Sequence, residues 1–385
     1  MQLITRRTCL KQIASAIAAT TIPSSFCSRM AFALESERQP QATKRELAKM
    51  ADIAQRFMGQ YKVPGLSVAI SRHGEFVYRR GFGYANIVKR ELVTPSHLFR
   101  IASVSKPITS AAIFSLIEEG KLGLNDLVFG KNGVLQLDYG RIDSGSLKDI
   151  TVYHLLTHTC GGWENQADDP MFANPVVDQK QLIEATLRTR PLRYAPGKHY
   201  GYSNFGYCLL GRVIEKVTGQ SYVKFVQENI LGLCGITNMR LSGSTLAERV
   251  DSEVIYYGQR GENPYNMNFP RMDSHGGWIG TPSDLVQFAM HVDGFNTTPN
   301  ILKPEAIKSM TTPSAACTNY ACGWEVNTVP NWWHTGKLPG TFAILVRTSS
   351  GLCWSALLNT CVNGFGPAVD RFMWEMVEAV PAWRA

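Results

Sequence analysis

No basic stripe interleaved with aromatic residues occurs in this sequence, which removes nucleic-acid binding as a reading. None of its nine cysteines stands at C-x-x-C spacing, so there is neither a zinc knuckle nor the dense cysteine framework of a small disulfide scaffold. No G-x-S-x-G is present, and without it the nucleophile elbow of an α/β-hydrolase cannot be built. His154 and His158 stand four apart, as zinc-binding histidines can, but Leu155 occupies the place of the glutamate in H-E-x-x-H. A zinc protease would therefore lack its base, and the two histidines are read as packing or hydrogen-bonding residues. Internal repeats and low-complexity tracts are also missing.

What remains is an ordinary globular composition. The chain has 385 residues, 44% hydrophobic and 18% charged, enough to bury a large core. The formal net charge of +8 is unevenly placed: Arg6, Arg7, Lys11 and Arg29 lie within residues 1–33, where there is no acid. There, paired arginines precede a mildly apolar stretch too short to span a bilayer, and Ala31-Phe32-Ala33 forms an A-x-A cleavage site. Thr5 to Lys11 resembles a bacterial twin-arginine export signal, with Cys9 where that signal usually has Phe. Cys27 follows Phe26 rather than a small residue, which argues against lipidation. The expectation is a signal peptide over 1–33 and an exported mature chain, periplasmic or secreted, with no stable membrane anchor.

Cleavage would leave seven cysteines (Cys160, Cys208, Cys234, Cys317, Cys322, Cys353 and Cys361), an odd number that keeps at least one thiol unpaired within the chain. Cys317 and Cys322 are close enough in sequence to bridge.

The two ends of the mature chain read as sheet and the middle as helix. "LSVAISRHGEFVYRRGFGY" holds two β-rich runs around Arg72-His73-Gly74, and "TFAILVRTSSGLCWSALLNT" repeats the pattern around Ser349-Ser350-Gly351. A final helix presents Val369, Phe372, Met373, Met376, Val377 and Val380 on one face. Between the ends, Thr281-Pro282-Ser283-Asp284 caps one helix and Gly219 closes another. The expected fold is α/β in the α+β sense: an antiparallel sheet flanked by helices, built from both chain ends, with an inserted mainly helical lobe. The expected bounds are about 50–100 and 315–385 for the sheet lobe and about 101–314 for the helical lobe, within one domain over 34–385.

"ASVSKPITS" carries the chemistry. A helix starting near Ser103 places Ser103 and Lys106 at i and i+3 on one face, puts Pro107 in the first turn, and lines up Ile108, Ala111, Ala112, Ser115 and Leu116 before Gly120. A serine hydroxyl is a poor nucleophile until something takes its proton. A lysine can do so once burial or nearby charge lowers its pKa from about 10.4. Ser221-Tyr222-Val223-Lys224 repeats the S-x-x-K spacing, but reads as a helix cap and a solvated charge. Ser103 differs in having downstream company: Tyr202-Ser203-Asn204 before a helix, then His334-Thr335-Gly336 in a strand-like segment. Tyr84-Ala85-Asn86 is another Y-x-N, read as structural because it precedes the serine and closes the first hairpin.

"RIASVSKPIT", "LLTHTCGG", "YSNFGYCLLGRVIEKVTG", "GGWIGTPSDLVQFA", "YACGWEV" and "HTGKLPG", in that order, resemble the serine β-lactamase-related superfamily of class C β-lactamases, D-Ala-D-Ala carboxypeptidases and the esterases of that fold. The resemblance runs from about Val63 to Asn359 and implies the β-lactamase/penicillin-binding transpeptidase-like fold. It makes Ser103 the acylated nucleophile, Lys106 its proton acceptor and Tyr202 the group that passes the proton on. Asn204 would hold the substrate's carbonyl side and the lysine, and His334, Thr335 and Gly336 would form the strand lining the cleft. The N–H groups of Ser103 and Lys337 would make the oxyanion hole.

Two departures accompany it. Cys160 stands where the family usually has Ser, and His334 where the penicillin-recognising members carry Lys. A histidine with a reference pKa of about 6.5 is mostly neutral at pH 7.5 and gives an anion little grip. Neutral short-chain esters should then outperform penicillins. Lys337 follows directly, but strand alternation points it away from the face of His334. Trp163, Trp278, Trp324, Trp332 and Trp333 are read as core rather than cleft.

The implied activity is that of an exported serine hydrolase acting on an ester, D-amino-acid peptide, amide or β-lactam, with no metal or organic cofactor. Acyl transfer to an alcohol or amine uses the same machinery. A different class is a catalytically idle relative that binds cell-wall peptides, against which the intact Ser–Lys–Tyr set argues. The expected partner is a small-molecule or peptide substrate, and the oligomeric state is not legible in the sequence.

Overall fold

The computed structural model describes residues 41–140, 145–173 and 176–383, so the expected signal peptide lies outside the described residues. The strands, in order, are β1 (Gly65–Arg72), β2 (Glu75–Asn86), β3 (Glu91–Leu92), β4 (Phe99–Arg100), β5 (Arg240–Leu241), β6 (Tyr257–Gly258) and β7 (Trp278–Gly280). They continue with β8 (Glu325–Val326), β9 (Trp332–Leu338), β10 (Thr341–Arg347), β11 (Leu352–Leu358) and β12 (Thr360–Cys361). The helices are α1 (Lys44–Tyr61), α2 (Ser105–Glu118), α3 (Val152–Leu156), α4 (Gln179–Thr189), α5 (Asn204–Thr218), α6 (Tyr222–Val226), α7 (Pro282–Met290), α8 (Pro304–Thr311) and α9 (Phe365–Glu378).

One seven-stranded antiparallel sheet, in the order β3-β2-β1-β11-β10-β9-β8, joins the two ends of the chain. Its central seam pairs Leu66 with Leu358 and Arg72 with Leu352. Strands β10 and β11 are buried along their whole length, because helices cover both faces. On one face lie α1 and α9. Met50, Ile53, Ala54 and Phe57 recur on one stripe of α1, and Phe57 stacks on Phe372 of α9 at 4.6 Å. Val380 is buried just beyond the end of α9 rather than on it. The other face carries the larger core, to which α2, α5 and α7 contribute.

The region between the sheet halves is helical with one addition to the expected pattern. Strands β4, β7 and β5 form a small three-stranded sheet, and β6 pairs with β12. Ladders of two or three residues are too short to show a period in sequence. Helix α2 also differs from the expectation of one apolar face. It is buried nearly all round, because α5, α6 and α8 pack on it as well as the sheet side. Its polar residues are accordingly paired: Ser105 donates to Ala102 O, Thr109 to Ser274 O and Ser110 to Cys322 O.

All seven described cysteines are free thiols. The bridge that spacing allowed between Cys317 and Cys322 does not form: Cys322 is buried in the core, while Cys317 donates to Asn319 Oδ1. The five tryptophans read as core are buried, apart from a half-buried Trp333. No described helix is long and apolar enough to cross a membrane.

Candidate active site

Ser103 sits in a single 3-10 turn, Ala102–Val104, that runs straight into α2. Ala102 takes φ +48°, a left-handed conformation unusual for a residue with a Cβ, immediately before Ser103. One turn on, Lys106 is wholly buried. Its Nζ lies 3.0 Å from Ser103 Oγ, 2.7 Å from Asn204 Oδ1 and 2.9 Å from the carbonyl oxygen of His275. Burial draws its pKa down to about 7, against a smaller upward pull from Asp169.

The identity of the Asn204 atom facing the lysine is fixed by its other partner. Asn204 Nδ2 donates to Asp169 Oδ2 at 2.7 Å, which leaves the amide oxygen for Lys106. Asn204 opens α5, where the Ser203 side chain caps the helix by accepting from Gly206 N–H. A neutral lysine has two N–H bonds and one lone pair. Asn204 Oδ1 and His275 O take the two hydrogens, and the lone pair is left for the Ser103 hydroxyl.

Tyr202 precedes α5 and lies with its ring face 4.8 Å from Lys106 Nζ. Its hydroxyl bonds the Ser103 side chain, and burial pushes its pKa well up, so it stays a neutral phenol. Along β9, burial alternates: His334, Gly336 and Leu338 are buried, while Lys337 is exposed and donates to Asn363. Lys337 is thus on the opposite strand face from His334. Gly336 lets β9 come close to the serine. A Cβ there would stand 2.2 Å from Ile101 O and 3.1 Å from Ser103 N.

Ser103, Tyr202, Asn204, His334, Thr335 and Lys337 line one cleft of about 490 Å³, with Lys106 bonded to Ser103 and Gly336 close against the Ser103 backbone. Asp169, His275, Tyr320 and Glu325 line it too, none of which the sequence singled out. Burial raises the pKa of both acids. His275 is buried with no partner for Nε2. His334 is turned inward, with Nε2 on the Tyr320 hydroxyl and Nδ1 on Thr335 O, and burial beside Lys106 pushes it down to about 3.

The other readings have plain outcomes. Ser221 caps α6 by accepting from Lys224 N–H, and Lys224 is exposed. Tyr84 and Asn86 end β2 and pair with β3. His154 completes a capping box with Thr151 at the start of α3. His158 lies against Tyr202 with ring centroids 4.3 Å apart. Cys160 is buried with its Sγ on Gly162 O, and burial pushes the thiol up to about 11.

A beta-lactamase family model matches residues 50–377. The chain belongs to the beta-lactamase family. Protein flp of Staphylococcus aureus (strain COL) is 27% identical over 292 residues, 72% of this chain and 55% of that protein. Penicillin-binding protein 4* of Bacillus subtilis is 26% identical, over 73% of this chain and 64% of its own length. The chain thus spans between about half and two thirds of the length of these curated relatives. Among solved structures, a class C beta-lactamase superposes with a TM-score of 0.72 at 20% identity, covering 88% of this chain and 98% of that one. D-amino acid amidase from Ochrobactrum anthropi SV3 also gives 0.72 at 20% identity, with 88% and 99% covered. These two likenesses show the beta-lactamase fold, an antiparallel sheet flanked by helices.

Proposed function

We propose that the protein is an exported serine hydrolase that forms an acyl-enzyme on Ser103. One observation carries the reading: Lys106 is wholly buried, drawn down to about 7, with its lone pair left facing Ser103 Oγ. A lysine at its ordinary pKa of about 10.4 would be almost entirely protonated near pH 7.5, whereas this one is largely free to accept a proton.

In this mechanism Ser103 Oγ attacks the substrate carbonyl as its proton passes to Lys106 Nζ. The oxygen that becomes negative would meet the N–H groups of Ser103 and Lys337, a pairing supported by the close approach of β9 to the Ser103 turn at Gly336. Tyr202, kept neutral, relays the proton from Lys106 to the leaving group, which departs as an alcohol or amine. Water then attacks the acyl-serine by the same route in reverse. Asn204 holds the lysine with its oxygen. Asp169 occupies one of its two amide hydrogens, and the other is the one available to a substrate carbonyl.

His334 supplies no positive charge to the cleft, so neutral short-chain esters are the preferred substrates over penicillins and cephalosporins. A second reading is a D-amino-acyl amide or ester. Asp169 and Glu325 in the cleft lining favour an ammonium group, and the solved structure named D-amino acid amidase shares the fold. Export rests on Arg6-Arg7 and Ala31-Phe32-Ala33.

The test incubates the mature protein with a fluorophosphonate and, separately, a fluorescent penicillin, and locates the label by mass. Label on Ser103, faster with the fluorophosphonate and lost in Ser103→Ala along with ester turnover, is the expected result. Label on Ser221, or unchanged turnover in Ser103→Ala, would refute the assignment.

A further inference from the structure

Behind the cleft wall runs a hydrogen-bond chain whose direction is fixed at both ends. Ser203 N–H donates to His158 Nδ1 at 3.1 Å, so that nitrogen carries a lone pair and the His158 proton is on Nε2. His158 Nε2 lies 3.1 Å from the Tyr320 hydroxyl, which lies 3.1 Å from His334 Nε2. At the far end His334 Nδ1 is 2.6 Å from Thr335 O, an acceptor only, so Nδ1 carries the proton of His334. Between these ends one arrangement satisfies every atom: His158 donates to Tyr320, Tyr320 donates to His334, and His334 donates to the backbone. Reversing it would set two donors face to face at Ser203 and two acceptors at Thr335.

We propose that His158 and Tyr320 are positioning residues that fix His334 as a neutral Nδ1–H imidazole with its Nε2 lone pair occupied, and thereby keep this cleft from gripping substrate carboxylates. The proposal rests on the hydrolase reading for its consequence, but the chain itself is a statement about proton positions. Two further observations agree. His158 holds φ +57°, a left-handed backbone that turns its ring toward Tyr202 and Tyr320. The carrier residues are buried: His158 is 1% exposed, Tyr320 2% and His334 2%.

The groups that face His334 are few. Lys106 comes from α2, His158 from the turn after α3, Tyr202 from the turn before α5, and Tyr320 from the segment before β8; Asp169, Tyr200, His275, Glu325 of β8 and Lys337 of β9 line the same cleft. Among the described residues, Tyr207 offers a rival path. Its hydroxyl donates to Leu156 O and also reaches Tyr320. If Tyr320 turned its proton to Tyr207, His334 would need a second N–H, a buried cation beside Lys106. Lys106 and burial both oppose that state.

Long-range proton–nitrogen NMR of the mature protein, with His158 and His334 assigned by substitution, reads the tautomers directly. The expected spectrum has His158 as the Nε2–H form and His334 as the Nδ1–H form, neither titrating between about pH 8 and 5.5. Tyr207→Phe should leave both unchanged. Tyr320→Phe removes the donor to the Nε2 lone pair, so His334 should begin to titrate at higher pH than in the wild type. In that variant, the kcat/KM ratio of a carboxylate-bearing β-lactam to a neutral nitrophenyl ester should begin to rise at the acid end, near pH 5.5, while the wild-type ratio stays flat. A His334 that is the Nε2–H form or cationic in the wild type would overturn the chain. A Tyr320→Phe variant with correct fold and an unchanged His334 titration would overturn the role of Tyr320. Absence of turnover with the tautomers as described would count against the hydrolase reading alone.

Discussion

Asp169 accepts a 2.7 Å hydrogen bond from the amide nitrogen of Asn204 and so turns the amide oxygen onto Lys106 Nζ, also at 2.7 Å. The acid is itself anchored, with its other oxygen accepting from Met171 N–H, and Asn165 Oδ1 accepts the backbone N–H of Asn204. Asp169 therefore decides which end of a nearly symmetric side chain the lysine meets. Asp169→Asn removes that discrimination, because the new amide can donate as well as accept. It also removes the negative charge that raises the pKa of Lys106. The expected outcome is a fall in kcat of about tenfold, as for loss of one charge-assisted hydrogen bond, with the acid limb of kcat/KM moved to lower pH. A purely structural role would lower kcat without moving the limb.

In the proposed mechanism the lysine sets the pH dependence of the reaction. With Lys106 near 7, kcat/KM for a neutral ester should be flat above about pH 7.5 and fall tenfold per unit below pH 7, where the lone pair is protonated. Tyr202 stays neutral across that range, so no descending limb from it should appear below about pH 10. Lys106→Met should lose turnover, and a stability signature follows by linkage. Between pH 7 and 10.5 the unfolded chain holds a proton on this lysine that the folded chain has released, so this group's contribution to stability increases with pH across that window. Thermal melts at pH 6 and pH 9 should show a smaller gain on raising the pH for Lys106→Met than for the wild type.

Much of this site was legible because its chemistry is held in short local patterns. Ser103 and Lys106 are one helical turn apart, and Tyr202 and Asn204 flank a helix cap. The two hairpins were legible for the same reason, since each carries its own turn. What local pattern cannot carry is a juxtaposition across the chain. Asp169 reads in sequence only as an acid before a proline, and it does cap the short turn that follows. Its bond to Asn204 comes from the fold. Tyr320 lies in an irregular segment without periodicity, and His275 precedes a glycine pair; each acquires a role only where other segments meet it. His158 reads in sequence as a packing or hydrogen-bonding histidine, and it does both, but nothing in its neighbours says that its ring lies on Tyr202. The all-round burial of α2 was hidden because Ser105, Thr109 and Ser110 look solvent-facing until their carbonyl partners are known.

Export can be tested apart from catalysis. Replacing Arg6 and Arg7 by lysine keeps the charge of the N-terminus and removes the paired arginines that a twin-arginine translocase reads. The precursor should accumulate in the cytoplasm at its uncleaved mass, while the wild type is recovered outside it, shortened after Ala33. Normal export of the double variant would point to the general secretory route.

Gly336 gives the most direct test of how β9 serves the serine. Its backbone is not in the left-handed region, so an alanine there meets no conformational penalty of its own. The obstacle is space: the new methyl would stand 2.2 Å from Ile101 O, 3.0 Å from Ala102 Cβ and 3.1 Å from Ser103 N. Backbone atoms on the opposing side cannot swing away as a side chain can, so the strand and the turn must move apart. Such overpacking typically costs about 1–3 kcal/mol of stability. The movement also separates the N–H groups of Ser103 and Lys337, the pair proposed to hold the oxyanion, and losing one such donor lowers kcat about a hundredfold. Gly336→Ala should therefore fold with a lower Tm, keep the Lys106 acid limb near pH 7, and lose kcat far more than it raises KM. A variant with wild-type kcat would mean that β9 does not supply the oxyanion contact.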